Sequence, residues 1–316
     1  MKKIYGIIAS SLLALTSYGA EQLTVALDWT PNPNHSGVYV AMANGYYKDA
    51  GIDIKIAPYG DVSPIQLVMI KKADIAFMGT EGLMIVNSSN NIDLTAIAET
   101  LSENAQYIAS RADSGIKSPK DFVGKVYATW TNGWDVALIN QMIIADGGQG
   151  EIKAPDLGAY GPTALLAGKI DLSWFFDNVE TPLAKKQNVA INKFYFKDYG
   201  LANYGSPILS VRTQSLKEDR DLYQRFITAT QKGYEWAAKN PTDATEALIK
   251  FSPPGTFEDK KLLMEQQEIS SRYYVGKDGW GKMDDTEMSK LADFMVNQKI
   301  VPNKGSLKYT NEFFKE

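Results

Sequence analysis

Short apolar runs alternate with helical stretches between residues 23 and 98, and this alternation limits the architectures open to the chain more than any other feature. Leu23, Val25 and Leu27 interleave with Thr24 and Ala26, a period-two pattern that predicts a strand. A helix is expected over 38–43, stopped by Asn44-Gly45, with a further turn over 46–50 stopped by Gly51. A strand over 52–57, a helix over 62–72 with Pro64 in its first turn, a strand over 74–77, a helix over 82–87 and a strand over 94–98 complete the order β-α-β-α-β-α-β. Strands joined through helices run parallel and carry the helices on their faces, so the fold class is α/β.

The same grammar returns further on. A strand over 106–110 leads out of the first unit, and Ser118-Pro119-Lys120-Asp121 opens a helix with a cap, a proline at its first position and an acidic first turn. A strand over 125–130, a helix over 135–145 with Val136, Ile139, Met142 and Ile143 on one face, a short helix over 161–168, a strand over 170–175 and a helix over 178–187 follow. A strand over 206–211 then returns to the first unit. At 316 residues the chain exceeds the usual size of a single core. Two lobes are therefore expected, 20–109 with 206–316 forming one and 110–205 the other. Each would be a mostly parallel sheet flanked by helices, and the two crossings near 106–111 and 204–211 would make a hinge. From Arg220 the chain turns helical: Leu222, Phe226, Ala229, Gly233 and Trp236 mark one stripe, with further helices over 242–251, 256–274 and 284–299.

Met1-Lys2-Lys3, the apolar run 4–15 and the small residues up to Ala20 read as a secretory signal peptide over 1–19, cleaved near Gly19 or Ala20, with a retained anchor as the alternative. The chain contains no cysteine, which excludes disulfides, thiol chemistry and a lipid-bearing cysteine, so a free periplasmic location is expected. The 33 basic and 37 acidic residues give a net charge of −4, or −6 once Lys2 and Lys3 leave with the leader. Nucleic acid and anionic membrane are thereby disfavoured as partners.

Enzyme motifs are absent. There is no phosphate-binding loop ending in Lys-Ser or Lys-Thr, no nucleophile elbow, no His-Glu-x-x-His and no calcium loop, and one histidine, His35, cannot form a histidine metal cluster. No metal and no cofactor are expected. Asp284-Asp285 suits a solvated helix start better than a catalytic pair. The stretches at strand ends share another character. Asp28, Trp29, Asn34 and His35 lie in the Pro31/Pro33 loop, and Thr80 and Glu81 follow the 74–77 strand. Trp130, Asn132 and Trp134 sit between a strand and a helix, as do Phe176, Asn178 and Glu180, and Tyr204 lies at the second crossing. Ligands of open α/β sheets sit at such strand ends. Indoles stack and amides and carboxylates take hydrogen bonds, while Arg111, Arg212, Arg220, Arg225 and Arg272 all lie elsewhere, so a flat neutral or weakly basic ligand suits this set better than an anion. Taken singly, Trp130, Trp134 and Trp174 could equally be core.

Residues 27–41 (Leu-Asp-Trp-Thr-Pro-Asn-Pro-Asn-His-Ser-Gly-Val-Tyr-Val-Ala) and 45–53 (Gly-Tyr-Tyr-Lys-Asp-Ala-Gly-Ile-Asp) resemble the thiamine pyrimidine synthase-like family. Lys117–Asp121 with Gly124-Lys125, residues 171–180, Asp198-Tyr199 before Ser206-Pro207, and residues 232–235 before Asn240-Pro241 extend the resemblance over nearly the whole mature chain. Within the family it is nearest the branch that binds formylaminopyrimidine for ABC importers salvaging thiamine precursors. That resemblance implies a type II periplasmic binding protein, a monomer that delivers its ligand to a membrane permease, with Glu180 pairing to the amino edge of an aminopyrimidine. Riboflavin or an alkanesulfonate would be the alternative ligand. The family's synthases hold pyridoxal phosphate through a lysine; the register here puts Met78 at that lysine, Gly82 at the active histidine and Ser206-Pro207-Ile208-Leu209 in place of a cysteine-rich stretch, so the synthase reading fails.

Overall fold

The computed structural model describes residues 19–57, 59–89, 92–129, 133–156 and 160–314. Apart from Gly19, the expected signal peptide lies outside the described residues.

The chain runs through β1 (Glu21–Ala26), a buried turn (Pro33–His35), α1 (Ser36–Ala43), α2 (Tyr46–Asp49), β2 (Ile52–Ala57), α3 (Pro64–Met69), β3 (Ile75–Met78), α4 (Thr80–Asn87) and β4 (Leu94–Glu99). Local chemistry sets the ends of these elements. Gly45 and Gly51, at φ +77° and +74°, stop α1 and α2 in a left-handed conformation that a side chain would strain. Ser63 and Gln66 cap the start of α3 reciprocally, each side chain accepting from the other's backbone N–H at 3.2 Å. β1 is parallel to β2 and β3, as the alternation predicts. β8 (Ile208–Arg212) then inserts antiparallel between β3 and β4, giving the order β2-β1-β3-β8-β4. β3 and β4 are buried at every position, and β8, buried at four of its five, satisfies the inner edges of both.

The second unit departs further from expectation. β5 (Gln106–Arg111), β6 (Ser173–Phe176) and β7 (Ile191–Tyr195) pair antiparallel in the order β6-β5-β7. β5 belongs to this sheet along its whole length, so 106–109 groups with the second sheet and not with the first, and the crossing chain is the segment before it. The strand expected over 125–130 is reduced to single parallel bridges, Val126 to Lys153, Tyr127 to Leu172 and Thr129 to Asp156. With those bridges counted, the order around β6 repeats the first sheet. In both, the strand arriving from the other lobe lies antiparallel between two neighbours.

Helices cover both faces: α5 (Trp134–Ala145), α6 (Gly161–Leu166) and α7 (Glu180–Lys186) in the second unit, then α8 (Thr213–Glu218), α9 (Arg220–Lys239), α10 (Pro241–Phe251), α11 (Lys260–Ser270) and α12 (Asp285–Asn297) after β8. Among the described residues no helix is long and apolar enough to cross a membrane. The α9 stripe is buried at Leu222, Phe226, Ala229 and Gly233, but Trp236 is 40% exposed and Ala237 takes its place against the core. α1 and α9 cross at Gly37 and Gly233. A Cβ on Gly233 would fall 2.0 Å from the Gly37 carbonyl oxygen, and one on Gly37 would fall 2.0 Å from the Tyr234 ring.

That crossing has no spare room, and its obstacle is backbone. Gly233→Ala should therefore lower stability by about 1–3 kcal/mol or more, read as a reduced urea midpoint at unchanged slope. Trp236→Ala, three residues on, should shift the midpoint far less.

Candidate ligand-binding cleft

The strand ends of both sheets open onto one cleft of about 460 Å³, within the range of small-molecule sites. The loop after β1 forms one wall and is held on three sides. Asn32 caps the Pro33–His35 turn: its Oδ1 accepts from Asn34 N at 2.9 Å, while its own N–H donates to His35 Nδ1 at 3.2 Å. Nδ1 is thus an acceptor, so the imidazole proton sits on Nε2 and is donated to Asp28 Oδ1 at 2.8 Å. His35 is 1% exposed, edge-on to Phe77 at 4.7 Å, and does not line the cleft. It fixes the orientation of Asp28, which does. Behind the loop, Tyr234 donates to Asn34 O and Tyr274 to Pro33 O, both at 2.6 Å.

Asn34 reaches the cleft and also ties the lobes together. Its Oδ1 accepts from Asn178 Nδ2 at 2.6 Å, and the same Nδ2 reaches Ser270 Oγ at 2.8 Å. Asn178 is fully buried behind the lining, so it joins the first-lobe loop, the β6–α7 turn and α11 without facing the cleft. Gln266 adds a bond to Val179 O at 2.9 Å, and Lys185 and Lys186 pair with Glu265 and Asp259.

Of the expected residues, Asp28, Trp29, Asn34, Glu81, Trp134, Phe176 and Glu180 line the cleft together. His35, Thr80, Asn178 and Tyr204 do not. Thr80 is fully buried at the start of α4, and Tyr204, 3% exposed, packs in the first-lobe core with Met283 and Met288. Trp130 and Asn132 lie outside the described residues. The lining also includes residues that the sequence did not single out for the site, some of them, such as Trp174, weighed only as core. Trp174 stands edge-on to Trp134 at 5.3 Å, Gln106 opens β5, Met78 and Phe77 end β3, and Ser206-Pro207 carries the cis peptide at the second crossing. Pro64, Ile65 and Pro162 come from the first turns of α3 and α6. The rule that helix starts after strand ends face the crevice would have found these three.

The lining carries three acids, Asp28, Glu81 and Glu180, and among its described residues no lysine or arginine. Glu180 Oε2 accepts from Phe176 N at 2.7 Å, yet burial outweighs that bond and pushes the group up to about 7. Its position at the head of α7 was expected to favour the charged form; desolvation by the aromatic walls wins. Burial likewise pushes Glu81 up to about 7. At the second crossing, burial lifts Glu99 to about 8 against the bond from Gly205 N, with Asp284 adding to the rise.

A carboxyl group raised in the folded state favours folding fully below its unfolded value and loses that contribution as pH climbs through the folded one. Glu81, Glu99 and Glu180 all act in this sense. The ligand-free protein should therefore melt at a higher temperature near pH 5.5 than near pH 8.5, and Glu99→Gln should flatten that dependence; calorimetric scans across this window check both.

Residues 32–244 match the family described as NMT1/THI5 like. The chain is similar to the formylaminopyrimidine-binding protein of Halalkalibacterium halodurans, 26% identical over 269 residues, covering 82% of this chain and 81% of that one. It is also similar to the 4-amino-5-hydroxymethyl-2-methylpyrimidine phosphate synthase THI13 of Saccharomyces cerevisiae, 22% identical over 313 residues, covering 93% and 88%. The periplasmic aliphatic sulphonate binding protein SsuA from Escherichia coli superposes with a TM-score of 0.67 at 13% identity, covering 92% of each chain. The fold is thus the two-lobed one of type II periplasmic binding proteins, and the chain belongs to the NMT1/THI5-like family.

Proposed function

We propose that the protein is the solute-binding component of an ABC importer, working in the periplasm, that closes two lobes over an aminopyrimidine-type thiamine precursor and passes it to the permease. The observation that carries this reading is the character of the cleft: indole and phenyl walls, three acids and no basic side chain among the described lining residues. An aminopyrimidine is flat and presents N–H donors along one edge, which suits stacking walls and carboxylate acceptors. The formylaminopyrimidine-binding relative supports the assignment. A sulfonate would need arginine or lysine, and a flavin edge would turn carbonyl acceptors toward acids.

We infer that no reaction is catalysed. Met78 lines the cleft, the resemblance to the synthases puts their lysine at this residue, and a thioether cannot form a Schiff base. The protein acts as a monomer with its lobes dividing ahead of β5 and near residue 205. Closure follows because contacts from both lobes exist together only when the cleft is shut, so a ligand shifts the hinge toward that state.

Formylaminopyrimidine at a hundred times its dissociation constant should stabilise the protein by about 2.7 kcal/mol, while an alkanesulfonate should not; thermal-shift curves test this. In Glu180→Gln one acceptor becomes a donor facing the ligand's own N–H groups. Loss of that charged hydrogen bond should weaken binding by about 1.5–3 kcal/mol, roughly tenfold to a hundredfold. A variant that binds as tightly as the parent in calorimetry, with only its melting temperature moved, removes Glu180 from the site.

A further inference from the structure

Glu81 is 2% exposed and lines the cleft, and its Oε1 has no hydrogen-bond partner among the described residues. Buried acceptors are rarely left without a donor, because desolvation then goes uncompensated. Each of the three acids has one oxygen with a donor, Asp28 from His35 Nε2, Glu180 from Phe176 N and Glu81 from its own backbone N–H, but of the three only Glu81 has a fully buried oxygen left without one among the described residues. The space beside Glu81 is reserved for its carboxyl group, since a Cβ at Gly79 would stand 3.0 Å from Oε2. Oε1 thus points to a donor that arrives with the ligand.

We propose that Glu81 binds the ligand directly, and that the ligand is a weakly basic amino heterocycle taken into the closed cleft together with one proton. The inference rests on the cleft reading above and adds the ligand's charge state to it. Asp28, Glu81 and Glu180 share one lining with aromatic walls, and closing it over a neutral molecule would take water from them without supplying a counter-charge. Nothing basic in the described lining offsets them. A ring nitrogen beside an amino group, once protonated, presents two parallel N–H donors, the pattern that a carboxylate accepts best. The proton comes from the buffer as the lobes close and returns to it on release.

The titratable groups around Glu81 are consistent with this account. Asp28 and His35 lie on the loop after β1, and Glu180 on α7 across the cleft. Glu99 ends β4, which packs on α4, and β3 carries no titratable residue. On the far side α4 meets the turn Lys304–Ser306, whose lysine is paired with Asp293. No cation is therefore placed to neutralise Glu81 from within, among the described residues of these elements.

Titration calorimetry of the full chain with formylaminopyrimidine at pH 8, in phosphate and in Tris, reads proton uptake from the difference in apparent enthalpy. The expected result is uptake of between about half and one proton per ligand, with affinity falling as pH rises from 7 to 9. Glu81→Gln should bind about tenfold more weakly and take up clearly fewer protons. Wild-type binding with no uptake and no pH dependence overturns the proposal, whether or not the variant folds. A folded Glu81→Gln that matches the parent in both affinity and uptake overturns it as well. Failure of the wild type to bind formylaminopyrimidine at all overturns the cleft reading and this inference together, so the two failures are distinguishable.

Discussion

A polar loop can be buried only if its backbone carbonyls find donors, and the arrangement of this molecule follows from that requirement at Pro33 and Asn34. Tyr274 and Tyr234 supply the two bonds. Both tyrosines come from the C-terminal third of the chain, 200 and 241 residues away, Tyr234 on α9 and Tyr274 just past α11, so the form of the loop depends on where those segments pack. Their own placement is closely determined. The Gly37–Gly233 crossing brings α9 against α1, Tyr234 stacks on Trp280 at 4.7 Å, and Gln267 accepts from Ser36 while donating to Tyr274. Core packing and cleft geometry are therefore parts of one buried network, which allows Asn34 and Asp28 to be rigid on a segment that is formally a loop.

From Asn34 the same network crosses to the other lobe. Asn178 bonds to Asn34 and Ser270 at once, and Gln266 holds the backbone at Val179. These bonds can form only with the lobes together, so they set a bias toward closure that adds to whatever the ligand contributes. At the hinge, Gly205 passes so near Leu101 O and the Glu99 carboxyl that no side chain fits. The strand ends of both sheets meet at this place. A ligand held there touches the elements whose relative position decides whether the cleft is open.

Much of this was legible in the residues because it was local. The 52–57 strand, the stops at Gly45 and Gly51, and the strand–loop–helix around Trp29 each rest on periodicity or on glycine and proline within a few positions. What escaped was decided at long range. β7 reads Ile-Asn-Lys-Phe-Tyr, with no alternation, and is a strand because β5 offers it an edge and Asp177 pairs with Lys193. β5 itself was placed with the wrong sheet, since nothing within 106–111 says which neighbours it will meet. Tyr204 and Asn178 had the chemistry of site residues, but the first is buried in a first-lobe core cluster that includes Met283 and Met288, and Asn34 and Ser270 engage the second. Pro64 and Pro162 have no polar chemistry to advertise and reach the cleft only through their positions at helix starts.

The acids of the cleft show why site residues were easier to name than to interpret. Sequence places Glu180 at a helix N-terminus, where dipole and backbone N–H groups favour a charge, and the structure, which starts α4 at Thr80 and not at residue 82, puts Glu81 in a similar first turn. In the folded chain Trp29, Trp134, Trp174 and Phe176 line the same cleft, and removal of water from a carboxylate costs more than one backbone bond restores. The aromatic walls therefore have two effects that composition alone cannot separate: they offer faces for a flat ring, and they desolvate the groups along its edge. The second gives selectivity. A buried acid offers an anion no counter-charge and gains most from a partner bringing donors and a positive charge, so the walls and the carboxyl groups discriminate jointly where either alone would be permissive.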